Sequence, residues 1–289
     1  MRTKDWLTFI ALSLAWGSSF LWIKIVLEEI GPFLLVALRL SIGVAAMLAY
    51  YFYKRPEMPK LSSTWRTLFV VGMLNTAIPF VLISWGEVFI DSAMAAILNG
   101  SVPLFTIVIA HLYLNDDRLT SGRVIGLLTG FAGVVILVAR DYSSGGQSSL
   151  IGQGAVLLAA LLYAISAVYV RRTTEDISPI VRALIPLAAA DGVIWLATPL
   201  VEAPLQLPQM TITWVALAWL GLIGSFLAYL LYYSLIHAVG PTRATMVTYT
   251  FPLVGVVLGV VFLHEVLDWS LALGGALVLG SLAIVNRSG

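Results

Sequence analysis

Residues 65–104 read WRTLFVVGMLNTAIPFVLISWGEVFIDSAMAAILNGSVPL, and residues 214–253 read WVALAWLGLIGSFLAYLLYYSLIHAVGPTRATMVTYTFPL. At this ungapped offset of 149, Trp65 falls on Trp214, Gly72 on Gly221, Leu82 on Leu231, Ala95 on Ala244, and Pro103-Leu104 on Pro252-Leu253. Each stretch is two apolar runs of helical length joined by a short connection. Leu, Ala and Gly coincide easily by chance, so the aromatic and proline matches carry the register. At an offset of 147, Trp16 falls on Tyr163, Lys24 on Arg171 and Pro32 on Pro179. At 148, Asp117-Arg118-Leu119 matches Glu265-Val266-Leu267, and Gly126 matches Gly274. The chain thus reads as a duplication, residues 1–146 followed by 147–289.

Composition says where such runs reside. Of 289 residues, 60% are hydrophobic and 11% charged, and mean hydropathy is +0.97. A soluble domain carries about 25% charged residues, so an all-α integral membrane protein is expected. Ten apolar runs stand out: roughly Trp6–Leu27, Pro32–Tyr53, Trp65–Gly86, Ser92–Leu114, Arg123–Ala139, Ile151–Val170, Pro179–Val201, Thr213–Ile236, Pro241–Leu263 and Trp269–Val285. Ten spans of ~20 residues consume about 200, leaving short loops and no extramembrane domain. Their continuity excludes an alternating barrel. The first run exceeds a signal-peptide core and no small-residue cleavage site follows it. A net charge of +1 gives no reason to expect nucleic acid, and the lack of cysteine removes disulfides, iron–sulfur clusters and thiol nucleophiles. No cofactor is expected.

Lysine and arginine set the orientation. With the N-terminus in the cytoplasm, thirteen of the 16 basic residues fall inside, Arg140 alone falls outside, and Lys24 and Arg39 lie within spans. Both termini are therefore expected in the cytoplasm, in a prokaryotic inner membrane. Each half holds five spans, an odd number, so the second must enter the membrane from the opposite side. Inverted halves supply inward- and outward-facing states from similar parts, a signature of secondary transporters.

The residues resemble the drug/metabolite transporter (DMT) superfamily, specifically its ten-helix EamA-like branch. The resemblance rests on Trp16-Gly17-Ser18-Ser19-Phe20 in the first span, Ala37-Leu38-Arg39 in the second and Pro103 in the fourth. It rests also on the acid-plus-leucine closures at Asp117-Arg118-Leu119 and Glu265-Val266-Leu267, and on the glycine-rich fifth and tenth spans. An aspartate pair, Asp116-Asp117, departs from the single glutamate of that pattern. The resemblance covers essentially the whole chain. It implies export of small molecules such as amino acids and drugs, with the third, fourth, eighth and ninth helices around a cavity together with the first and sixth, and the fifth and tenth at the periphery.

Candidate transport residues come from polar and broken positions inside spans. Asn75-x-x-x-Pro79 and Asn99-x-x-x-Pro103 recur in the third and fourth spans, and Thr248-x-x-x-Pro252 in the ninth. Proline lacks an N–H, so the carbonyl four residues earlier loses its helical donor. Each site offers an acceptor at membrane depth; a packing kink is the plainer alternative. Trp16, Tyr163, Tyr232 and Tyr249 lie deep in their spans and suit stacking on a planar or apolar substrate, or gap filling. Lys24 is expected to snorkel to the headgroups. Arg39 has Glu28, Glu29 or Glu87 as potential partners. Asp191 is expected either to carry a coupling proton or to pair with Arg39. Asp117 and Glu265 are expected to cap the helices that follow them.

His111, His237 and His264 form no H-E-x-x-H pair, and no nucleotide-binding loop is present. A secondary exporter of small organic metabolites is therefore expected, with lipid, substrate and optionally protons as partners and a monomer or dimer as its unit. An intramembrane enzyme or a channel is the alternative.

Overall fold

A computed structural model describes residues 3–60, 62–113, 120–143, 147–171, 177–239 and 246–287. Asp116, Asp117 and Pro241 lie outside them. All regular structure among the described residues is helical. Among the described residues eight helices are long and apolar enough to cross a membrane, from Thr3–Val26 to Thr211–Leu235. Phe251–Phe262 and Trp269–Val285 are apolar but shorter.

The segments are α1 (Thr3–Gly17), α2 (Ser19–Val26), α3 (Pro32–Lys54), α4 (Ser62–Gly72), α5 (Ile78–Glu87), α6 (Ser92–Asn99) and α7 (Val102–Tyr113). They continue with α8 (Ser121–Ser143), α9 (Gln147–Arg171), α10 (Pro179–Val201), α11 (Thr211–Ala218), α12 (Ala228–Val239), α13 (Phe251–Phe262) and α14 (Trp269–Arg287). Pro32 and Pro179 each open a helix, where a missing N–H leaves nothing unpaired. Pro79, Pro103 and Pro252 sit at the second position of α5, α7 and α13. They start new half-helices more than they kink old ones.

The interruptions recur at the same offset as the sequence. A π-helical stretch, Met73–Ala77, joins α4 to α5, and another, Trp219–Leu227, joins α11 to α12. Positions 100–101 separate α6 from α7, and position 250 separates a 3-10 turn (Met246–Tyr249) from α13. The Trp65 indole donates to the Pro59 carbonyl at 2.9 Å, and the Trp214 indole to the Pro208 carbonyl at 3.0 Å.

Helices in lipid gain little by burying apolar surface against one another, so close approach of small residues decides packing. The α8–α14 pair shows this. A Cβ on Gly133 would lie 2.7 Å from the Gly274 carbonyl oxygen, and one on Gly126 would lie 3.0 Å from that of Ser281. As one partner's number rises the other's falls, so the two helices cross antiparallel. One large apolar core, with Leu35, Leu40, Met47, Met94 and Leu98 fully enclosed, fills the remaining bundle.

Two ends can be distinguished. Residues 24–34, 87–93, 202–210 and 265 meet at what we term the far end. Residues 51–58, 68, 177–185 and the neighbourhood of Tyr169 gather at the near end.

Candidate functional site

Trp16, in the last turn of α1, stands at the hub of the interior. Its ring lies 5.2 Å from Tyr232, 5.6 Å from Phe251 and 6.0 Å from Tyr229, centroid to centroid. Its indole N–H donates to the Gly224 carbonyl at 3.1 Å. That carbonyl is reachable because Gly224 lies inside a π-helical stretch. There the wider i→i+5 spacing disturbs the regular ladder.

Pro79 explains the next contact. The Asn75 carbonyl, deprived of its helical donor, accepts from the Tyr229 hydroxyl at 3.3 Å. The same hydroxyl lies 3.4 Å from the Asn75 amide and 3.2 Å from the Thr76 hydroxyl. The expected acceptor thus exists and is taken up inside the protein. Asn99 is only 7% exposed, and its side-chain oxygen has no partner among the described residues. Pro103 starts the half-helix beyond it. Thr248 lies in the 3-10 turn before Pro252; Tyr249 shares its backbone, and its side chain lies outside the described set.

Tyr163 is not among the rings in contact with Trp16, which are those given above. Tyr163, half-buried on α9, stands with Tyr229 within electrostatic reach of Arg39. Arg39 is 3% exposed, and its guanidinium lies 4.1 Å above the Phe80 ring. It does not pair with Asp191. That carboxylate, half-exposed on α10, accepts from the Ser41 hydroxyl at 3.0 Å, which in turn accepts from the Trp195 indole at 2.7 Å. Nor does Lys24 snorkel. Its ammonium donates to the carbonyls of Glu87 at 2.6 Å and Ile90 at 2.8 Å, where α5 ends and carbonyls lack helical donors.

Three carboxylates at the far end cap helices distant in sequence. Glu202 accepts the N–H groups of Phe33 (2.8 Å) and Leu34 (2.9 Å) at the start of α3. Glu265 accepts those of Ser92 (2.7 Å) and Ala93 (2.9 Å) at the start of α6, instead of the helix that follows it. Glu29 accepts from Gln209 and, at 3.0 Å, from Met210 ahead of α11. The nearby Thr213 hydroxyl contributes most to holding Glu29 below the ordinary carboxylate range; burial opposes it, and the two backbone donors add to it. Negative charge at a helix N-terminus also meets the positive end of its dipole. Each cap joins residues 1–146 to residues 147–289.

At the near end a cavity of about 580 Å³ is lined by Ser63, Arg66, Thr67, Val70 and Tyr169. Among the described residues no group of three or more His, Asp or Glu is placed to hold a metal ion.

Sequence reasoning missed Tyr229, Phe80 and Glu202. Tyr229 lies four residues after Ser225, so helical spacing places it beside that face as readily as Tyr232; its bonds to Asn75 and Thr76 cross to a distant helix and leave no local signal. Phe80 precedes Ser84 and Glu87 on one face of α5, a spacing legible beforehand. Nothing in the sequence marks Glu202 as a cap for α3.

A chain whose described residues form only helices, eight of them of membrane length and apolar, around a buried aromatic and polar interior is an integral membrane protein. It belongs to the EamA-like transporter family, whose model matches residues 5–139 and 150–287. The chain is 29% identical over 272 residues to the inner membrane transporter YedA of Escherichia coli (strain K12), covering 91% of this chain and 85% of YedA. It is 24% identical over 278 residues to the transporter YoaV of Bacillus subtilis (strain 168), covering 95% and 94%. A solved crystal structure shares the fold with a TM-score of 0.71 and 22% identity, over 99% of this chain and 98% of the other.

Proposed function

We propose that the chain is a secondary transporter that exports small organic metabolites by exposing one central cavity alternately to the two membrane faces. The reading takes ten spans in two inverted five-helix halves, 1–146 and 147–289, with both termini and the near end in the cytoplasm. Recurrence of the π-helices, helix breaks and Trp–Pro hydrogen bonds at the 149-residue offset supports the duplication. The antiparallel Gly126–Ser281 and Gly133–Gly274 approaches support the inversion, since an offset of 148 exchanges one contact for the other.

The observation that carries the mechanism is the contrast between the two ends. Carboxylate caps tie the halves together at the far end, while at the near end α4 and α9 leave an open groove between Ser63, Arg66, Thr67, Val70 and Tyr169. On this reading substrate comes from the cytoplasm to a site built by Trp16, Asn75, Asn99, Tyr163 and Tyr232, which are distinct from the residues lining the near-end cavity. The aromatic rings offer stacking faces, and the broken helices offer polar groups and hinges. Release outward requires the caps to part and the near end to close.

A thermal-shift screen of metabolites on purified protein identifies the cargo, and exchange of the labelled hit in proteoliposomes measures transport. Asn99→Ala and Tyr163→Ala are expected to reduce exchange with folded yield intact. Full activity in both removes this cavity assignment. Sensitisation of expressing cells to a toxic hit, in place of resistance, reverses the direction.

A further inference from the structure

Glu87 is the most isolated charge-bearing group among the described residues. It is 0% exposed, and neither carboxyl oxygen has a hydrogen-bond partner there. It ends α5 on the face that carries Phe80 and Ser84, and the Ser84 hydroxyl is likewise enclosed and unpartnered. The cations nearby are engaged elsewhere. The Lys24 ammonium from α2 is held by the carbonyls of Glu87 and Ile90, and the Arg39 guanidinium from α3 lies on Phe80 with its Nε unpartnered. From the loop before α14, Glu265 adds a like charge, itself committed to Ser92 and Ala93. From α9, Tyr163 approaches Arg39.

An ionised carboxylate enclosed without a partner is far costlier than the neutral acid. The far-closed arrangement is therefore the one a protonated Glu87 fits. Once ionised, the group must gain water or pair with Lys24 or Arg39. Either change disturbs the ends of α2 and α5, directly beside the Glu265 cap on α6.

We propose that Glu87 is the site at which this transporter binds the proton that drives export, its occupancy deciding whether the far end is closed. The carboxylate takes a proton from water on the far side, the far end shuts, and the proton leaves to water on the near side as substrate loads. Asp191, by contrast, is half-exposed and already accepts a hydrogen bond from Ser41. The inference rests on the transporter reading above.

The chain has no cysteine, so Asn99→Cys introduces a single thiol at the cavity. Membrane-impermeant maleimide is applied to vesicles of either orientation across a pH series. Labelling from the far side is expected to rise as the medium becomes alkaline, by up to about tenfold per pH unit, the limit for one titrating proton. Adding Glu87→Gln abolishes the pH response, and Glu87→Asp retains it. Labelling from both sides without pH dependence, or a response surviving Glu87→Gln, overturns the Glu87 assignment and leaves alternating access standing. Labelling from one side at every pH overturns alternating access itself. The background carrying Asn99→Cys alone decides whether labelling depends on pH and whether it occurs from both sides, even if Glu87→Gln fails to fold; a lack of pH dependence there already overturns the Glu87 assignment.

Discussion

The Glu265 carboxylate accepts the backbone N–H groups of both Ser92, at 2.7 Å, and Ala93, at 2.9 Å, across more than 170 residues of chain. Gly259 makes room for it, since a Cβ there would collide with the carboxylate. The contact ties the start of α6 to the turn after α13 without engaging a single side chain of α6. Such a tie is released whole when two helix ends separate, which suits a gate better than a permanent weld. Glu265→Gln keeps the shape and removes the charge. A charge at a helix N-terminus contributes about 0.3–2 kcal/mol, so far-side labelling of Asn99→Cys is expected to rise roughly 2- to 30-fold. Unchanged labelling in Glu265→Gln, Glu202→Gln and Glu29→Gln alike contradicts the gate.

The hydroxyl of Tyr229 replaces the helical donor that Pro79 denies to Asn75. Tyr229→Phe leaves that buried carbonyl unpaired and is expected to cost about 1–3 kcal/mol in detergent unfolding. Tyr232→Phe, whose ring contacts Trp16 without a comparable hydroxyl bond, should cost less. Equal losses argue against this local account.

Helix association at the periphery gives a sharper steric expectation. Gly133→Ala places a methyl 2.7 Å from the Gly274 carbonyl oxygen, whereas Gly154 and Gly192 have open space at the same position. Overpacking of this kind costs about 1–3 kcal/mol. Gly154→Ala and Gly192→Ala should stay within about 0.5 kcal/mol of the parent. Thermal unfolding of the three variants side by side is the check, and similar melting temperatures contradict the α8–α14 contact.

The Glu29 cap makes a statement about pH. Its folded-state titration lies below the ordinary carboxylate value, so its contribution is present above that value and is lost only as pH falls through the lowered one. Amide exchange at Gln209 and Met210, corrected for intrinsic rates, should therefore stay slow through mild acid. Acceleration already near neutrality contradicts the cap.

Much of this fold is visible in the residues, because lipid allows few solutions for a backbone. The runs beginning at Pro32, Ser92 and Pro179 start where the helices do, and the Asn75–Pro79 and Asn99–Pro103 breaks lie where the prolines put them. Features set by contacts between distant helices are not legible. Tyr229 sits at ordinary helical spacing from Ser225, but the carbonyl it reaches, that of Asn75, is 154 residues away. Lys24 and Asp191 found partners within the bundle, at Glu87, Ile90 and Ser41, that no local pattern announces. Glu265 caps α6, while Asp268 accepts the Leu271 N–H at the start of α14.

Rocking of two halves makes opposite demands on the two ends of the bundle, and distances test that most directly. Spin labels at Val88 and Val266, exposed at the far end, and in a second variant at Arg66 and Tyr169, lining the near cavity, report both ends. The account expects two populations at each pair, with Glu265→Gln lengthening the far distance and shortening the near one. A single distribution at both ends that Glu265→Gln leaves unmoved, or a shift of both in the same direction, contradicts alternating access.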